Sequence, residues 1–291
     1  MNNSEEKALY PIREFASLTG VNPVTLRAWE RRYGIIKPER TPKGHRYYTD
    51  EHVQLVLQIL YWLEQGYPIR EVKLLMKEGT TKAEESSKTN DDWQEQQQQL
   101  IRAAEGLKSQ YIDELWNAGF ASYPFAVYYE RCIVPVLNFL RSNSTRHVVV
   151  NALENMLKRK LGALLLLQQR HNKGDLLLLV TNHEQAEIDT LACAGALGAA
   201  VFRVEYFGAM TTPADLELAL SIVPAANVWI NFHPLTSEQQ QLQWQKYLAN
   251  STLTHYLTGT VPSFDNNQEN LHLLEGSLSN QVRTFITGDA L

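Results

Sequence analysis

Residues 23–46 carry seven basic side chains, Arg27, Arg31, Arg32, Lys37, Arg40, Lys43 and Arg46, against only Glu30 and Glu39. The chain as a whole has a net charge of −5. Residues 1–79 hold 12 Lys/Arg against 10 Asp/Glu, and the remainder holds 15 against 22. A local basic patch on an acidic protein suits a polyanion such as nucleic acid. A solvated charged face is the plain alternative, and charge alone does not separate the two. A second place for chemistry is the loop in DLLLLVTNHEQAEIDTLACAGALGAAVFRV, residues 175–204. An apolar run ending in a polar loop, followed by a small-residue segment and another apolar run, reads as strand, loop, helix, strand. The loop after such a strand is where α/β sheets bind ligands.

Other chemistry is poorly provided for. Cys132 and Cys193 are the only cysteines, and two buried thiols in a reducing compartment are expected rather than a disulfide. Neither they nor the scattered histidines offer zinc spacing. No paired acid and base or activated nucleophile stands out, so an enzyme is not expected. No run reaches the roughly 18 consecutive apolar residues of a membrane span. The polar start MNNSEEKALY does not read as a secretory signal, which makes the expected location cytoplasmic.

The elements that must position these residues follow from pattern. PIREFASLTG reads as a helix with Ile12, Phe15, Ala16 and Leu18 facing inward and Gly20 ending it. Asn22-Pro23 restarts a helix, with Asn as N-cap and Pro at the first helical position, and it runs to Gly34. Two helices joined by a short Gly-containing turn form a helix-turn-helix. Pro38, Pro42 and Gly44 break IIKPERTPKGHRYYT into a small two-stranded wing. Two amphipathic helices follow, separated at Gly66. Residues 79–96 are polar and read as a linker.

Helical periodicity returns over 97–170, with helices expected near 94–108, 110–118, 124–141 and 145–169. Trp116, Phe120, Phe125, Tyr128, Tyr129 and Phe139 are expected in a bundle core. Residues 175–288 alternate strand and helix. Strands are expected at 175–180, 200–205, 227–232 and 254–258, and helices at 185–197, 213–222, 236–248 and 278–286. That alternation implies a parallel sheet wrapped by helices. The expected fold is therefore multi-domain, α and α/β. It comprises a winged helix-turn-helix (1–79), a linker (80–96), a four-helix bundle (97–172) and a Rossmann-like parallel sheet (173–291).

The stretch VTLRAWERRYGIIKPERTPKGHRYYTDEHV resembles the MerR family of bacterial transcription regulators. Thr25, Leu26, Arg27, Trp29, Glu30, Gly34, Pro38, Arg40, Gly44, His45, Arg46 and Tyr48 occupy that family's motif positions. Ala28 replaces the commoner tyrosine, which makes the chain similar to the MlrA-like and CarH-like subgroup. The resemblance implies that the N-terminal turn of the second helix enters the major groove with Asn22, Thr25 and Arg27. Arg27 and Arg31, one turn apart, can meet phosphates. Arg40, Lys43, His45, Arg46 and Tyr48 are expected beside the backbone or minor groove. Glu30 can also be read as an intrahelix partner of Arg31 and Arg32, and Trp29 as a core residue.

The region after the linker is similar in architecture to the cobalamin-binding half of CarH-like repressors, which implies a set of ligand motifs. Fitted to Glu-x-His-x-x-Gly, Glu184 keeps its place, but Ala186 stands at the histidine and Asp189 at the glycine. Asn231 and His233 fall at Ser-x-Leu, and Gly259-Thr260 at Gly-Gly. The positions of the bundle motif, a Trp separated by nine residues from Glu-His, are taken by Leu140, Val150 and Asn151, or by Ser144, Glu154 and Asn155 in another register. His183 is a conceivable substitute ligand. Alanine cannot ligate a metal, so no cofactor is expected. The expected function is a DNA-binding transcription regulator that has lost cobalamin binding. The resemblance implies an activator of extracellular-matrix and biofilm genes, acting as a homodimer on promoter DNA and reaching RNA polymerase indirectly. A ligand- or cobalamin-sensing regulator is the alternative. A corrinoid enzyme lacks supporting residues, and the acidic C-terminal region could also dock a protein partner.

Overall fold

A computed structural model describes residues 8–78, 89–210, 212–264 and 268–288. The chain divides into two compact units, Met1–Leu153 and Glu154–Leu291.

In the first unit, β1 (Tyr10–Pro11) leads into α1 (Ile12–Thr19), which ends at Gly20 in the left-handed region, φ 69°. The second helix, α2 (Pro23–Ala28), continues as one π-helical turn, Trp29–Tyr33, and stops at Gly34, φ 57°. Asn22 caps α2 by accepting the Val24 amide at 2.7 Å, which satisfies one of the helix's otherwise orphaned donors. The wing is β2 (Glu39–Arg40) against β3 (Arg46–Tyr48). It has three strands rather than the expected two, because β1 pairs with the other side of β3, Tyr10 opposite Tyr48. Two helices follow, α3 (Asp50–Glu64) and α4 (Ile69–Glu78). Phe15, Leu26, Ile36, Tyr48, Val56, Ile59 and Leu63 are all but inaccessible to solvent.

The expected linker requires correction. Its stretch 79–88 lies outside the described residues, but α5 spans Thr89–Glu105 and takes in 89–96. Trp93 is buried there and donates its indole N–H to the Gly66 carbonyl at 2.9 Å. A polar composition hid one large apolar anchor. The next elements are α6 (Ser109–Ser122), α7 (Phe125–Tyr128), a π-helical turn (Tyr129–Ile133) and α8 (Val134–Arg141). After a short 3₁₀ turn comes α9 (His147–Gln169). The bundle expected at 97–172 does not form a unit of its own. Its first three helical segments cluster with the N-terminal module, and α9 straddles the division at Leu153.

The second unit is an α/β layer structure. In chain order it holds β4 (Leu176–Thr181), α10 (Glu187–Ala199), β5 (Arg203–Ala209), α11 (Pro213–Ile222) and β6 (Asn227–Phe232). There follow α12 (Glu238–Asn250), β7 (Thr254–Gly259), β8 (Leu271–Leu273) and α13 (Leu278–Thr287). The sheet is parallel throughout, in the order β5-β4-β6-β7-β8. Every residue of β4 is buried, as expected of a strand covered on both faces. The chain reverses its direction of winding between β4 and β6, so the open-sheet crevice lies at their carboxyl ends. The three-residue β8 is an addition to the four expected strands.

Candidate nucleic-acid interface

The second helix of the helix-turn-helix sorts its residues into stripes. Val24, Arg27 and Arg31 are exposed and lie three and four residues apart, on one face. Thr25, Ala28 and Trp29 lie on the neighbouring stripe and are buried. Thr25 faces the end of α6, its hydroxyl 3.4 Å from the Phe120 carbonyl. The Trp29 indole N–H is donated to the Ser122 carbonyl at 2.9 Å, and Arg32 reaches the Ser122 hydroxyl at 3.2 Å. Arg27 and Arg31, expected to meet phosphates, are both exposed on this face. Thr25, expected to read bases, is fully buried in the first unit. Asn22 spends its side-chain oxygen on the cap.

The wing is tied to this helix by one carboxylate. Glu30 accepts from Arg40 at 2.6 Å and from Arg46 at 2.7 Å. Its partners are therefore wing residues and not Arg31 or Arg32. Burial pushes the Glu30 carboxyl upward, but the hydrogen bonds and charges of Arg46 and Arg40 outweigh it, and the net shift is downward. Sequence spacing gave no sign of this clamp, because its partners lie ten and sixteen residues away. Lys43, Gly44 and His45 form the exposed wing tip. The tip is closed by bonds from Gly44 N to Thr41 O, 2.8 Å, and from Thr41 N to His45 O, 3.0 Å. Tyr48 is a correction. It is 1% exposed, stacks on Phe15 at 4.1 Å between centroids, and has its hydroxyl pushed up to about 12 by desolvation. It holds β3 to α1 and cannot touch DNA from there.

Polar side chains bridge the elements around the crevice of the second unit. The Asn182 side chain accepts from the His233 amide at 2.6 Å and donates to the His233 carbonyl at 2.9 Å. Asn231 donates to Thr190 Oγ1 at 3.0 Å and accepts from the Thr258 hydroxyl at 3.3 Å, which in turn accepts from the Trp229 indole at 3.1 Å. His183 caps the 3₁₀ turn Glu184–Ala186 by accepting the Gln185 amide at 3.1 Å, and its ring stacks on His233 at 4.7 Å. Glu184 and Asp189 are exposed and Ala186 is buried. Gly259, φ +79°, lies so close to β6 that a Cβ would fall 2.1 Å from the Phe232 carbonyl oxygen. In the first unit Leu140 is fully buried and Asn151 exposed, and neither carries an imidazole.

Among the described residues no group of three or more His, Cys, Asp or Glu could hold a metal ion. No described helix is long and apolar enough to cross a membrane. Both cysteines are free and buried. Desolvation raises both thiols, Cys132 to about 11, so neither is a ready thiolate.

Comparison with known proteins places residues 10–79 in the MerR HTH family regulatory protein model. The chain is 43% identical over 94 residues to the HTH-type transcriptional regulator MlrA of Salmonella typhimurium (strain SL1344) and 40% identical over 94 residues to MlrA of Escherichia coli (strain K12). Each match covers 32% of this chain and 36% of the relative. It is 27% identical over 138 residues to the HTH-type transcriptional repressor CarH of Myxococcus xanthus, 44% of this chain and 45% of that one. The chain thus spans less than half the length of these relatives, all named as transcription regulators and none as an enzyme. The module at residues 10–79, with its groove-sized helix and wing, is a MerR-family helix-turn-helix domain.

Proposed function

We propose that the chain is a transcription regulator that grips double-stranded promoter DNA with Arg27 and Arg31 of α2 and with the wing. The carrying observation is that Glu30 fixes Arg40 and Arg46 of the wing beside the helix whose exposed face bears Arg27 and Arg31. Contacts to phosphate would supply most of the affinity and make it fall steeply with salt. Lys43 and His45 at the wing tip would reach the adjoining backbone or minor groove. In this reading the chain works as a homodimer on a pseudo-palindromic site and is not an enzyme. Its sign is activation, as the MlrA-like resemblance implies, with extracellular-matrix genes as targets.

The C-terminal unit, in this reading, senses no cobalamin. Its support is the crevice at the ends of β4 and β6, where Asn182 is bonded to the His233 backbone and Asn231 is bonded to Thr190 and Thr258. Fold likeness does not carry ligand chemistry; the site does. The test of DNA binding is fluorescence anisotropy with a 30-base-pair duplex enriched by in vitro selection on the full chain. Saturable binding, at least tenfold tighter than to a random duplex, supports the reading. Equal binding to both duplexes refutes it.

A further inference from the structure

The stripe of α2 occupied by Thr25, Ala28, Trp29 and Arg32 adjoins the exposed stripe of Val24, Arg27 and Arg31. Together the two would make the outward half of the helix in the N-terminal module taken alone. In the first unit Thr25 and Trp29 of the second stripe are buried against the end of α6, while Arg32 at its edge stays exposed. Trp29, 0% exposed, has its indole N–H satisfied by the Ser122 carbonyl, and Thr25, 0% exposed, faces the Phe120 carbonyl. A second patch holds the same two parts together. Trp93 donates to Gly66 O at 2.9 Å, Arg131 donates to Glu64 O, and Arg70 pairs with Asp92.

A recognition helix of about 10–12 Å diameter fills a major groove about 12 Å wide. A second helix packed flush on its flank has no room there. From the buried stripe we infer that the end of α6 is an internal competitor for DNA: the docked form is closed to the major groove. DNA binding then requires the N-terminal module to leave α6, exposing Trp29 and Thr25. The apparent affinity is reduced by the fraction of molecules that are undocked. This inference rests on the reading of α2 as the groove-entering helix. It makes the α6 surface a control point, since whatever weakens docking raises occupancy of DNA.

The test uses the full chain and the selected duplex, with the variant Asp92→Asn/Arg131→Gln. This pair loosens the second patch, lies away from the DNA-facing residues and leaves net charge unchanged. The expected result is binding about tenfold tighter than wild type, as expected for a tenfold larger undocked fraction. Hydrogen exchange on the wild-type chain supplies a readout independent of the variant: amides in the last turn of α6 lose protection when the duplex is added. Unchanged or weaker binding by a folded variant, or retained protection of that turn in the DNA complex, overturns the inference. Should neither wild type nor variant prefer the selected duplex, the reading of α2 as a DNA helix fails first, and with it the inference.

Discussion

The carboxamide of Asn182, at the end of β4, is bonded to both backbone polar groups of His233, just beyond β6, accepting at 2.6 Å and donating at 2.9 Å. One side chain therefore acts as a cross-strand clasp at the point where an open α/β sheet would otherwise part to admit a ligand. Titration with aquocobalamin, followed by absorbance, is expected to give no stoichiometric complex. A stable complex that survives gel filtration would contradict the closed-crevice reading. Asn182→Ala leaves two part-buried backbone groups of His233 short of a partner and is expected to cost about 1 kcal/mol in urea unfolding.

Gly259 is required by both conformation and space. Its φ is +79°, and a Cβ would lie 2.1 Å from Phe232 O and 2.9 Å from Asn231 Oδ1. Gly259→Ala is expected to destabilise the chain by about 3 kcal/mol, read as a lower denaturation midpoint at unchanged slope. A midpoint equal to wild type would mean that β6 and β7 are spaced more loosely than described.

Glu30 joins the wing to α2, and its folded-state carboxyl is shifted below the ordinary 4.5. A lowered acid pKa contributes stability that is present above the unfolded value and is lost as pH falls through the folded one. Glu30→Gln should therefore cost about 1 kcal/mol at pH 7, because these pairs are partly solvated, and much less near pH 3. Thermal unfolding at the two pH values measures this. A variant equally destabilised at both would show that the charge is not what holds the wing.

His255 is buried, its Nδ1–H donated to Leu253 O at 2.7 Å while Nε2 accepts from the Tyr247 hydroxyl at 3.0 Å. Desolvation outweighs the backbone hydrogen bond and lowers its pKa from 6.5. The unfolded chain then binds the extra proton first, so this group's contribution is full above about pH 6.5 and is lost on acidification below it. Melting temperature should fall between pH 7.5 and 5.5 in wild type, and fall less in His255→Gln. A parallel fall in both proteins would assign the loss to other groups.

Much of the fold was readable because its signals are local. The Asn22-Pro23 start, the Gly34 stop and the apolar run of β4 each fix an element from a few neighbouring residues. What was not readable depends on distant partners. Trp93 sits in a polar stretch, and only its contact with Gly66 shows that α5 begins in the presumed linker. The Glu30 clamp needs residues from the wing, and the burial of Thr25 needs a carbonyl 95 positions away. Tyr48 was misplaced because alternation along a strand shows that one of two tyrosines is buried without showing which. At the crevice, the bonds of Asn182, Asn231, Thr190 and Thr258 draw on residues of four elements, which local sequence does not bring together.

The central claim is that Arg27 and Arg31 form the phosphate-binding face of a promoter-binding module. It is tested most directly by anisotropy with the selected duplex across a salt series, comparing wild type with Arg27→Ala/Arg31→Ala. The expected result is a loss of affinity of at least tenfold, with the slope of log affinity against log salt shallower by about 2, one for each phosphate contact removed. An unchanged affinity and an unchanged slope would contradict it.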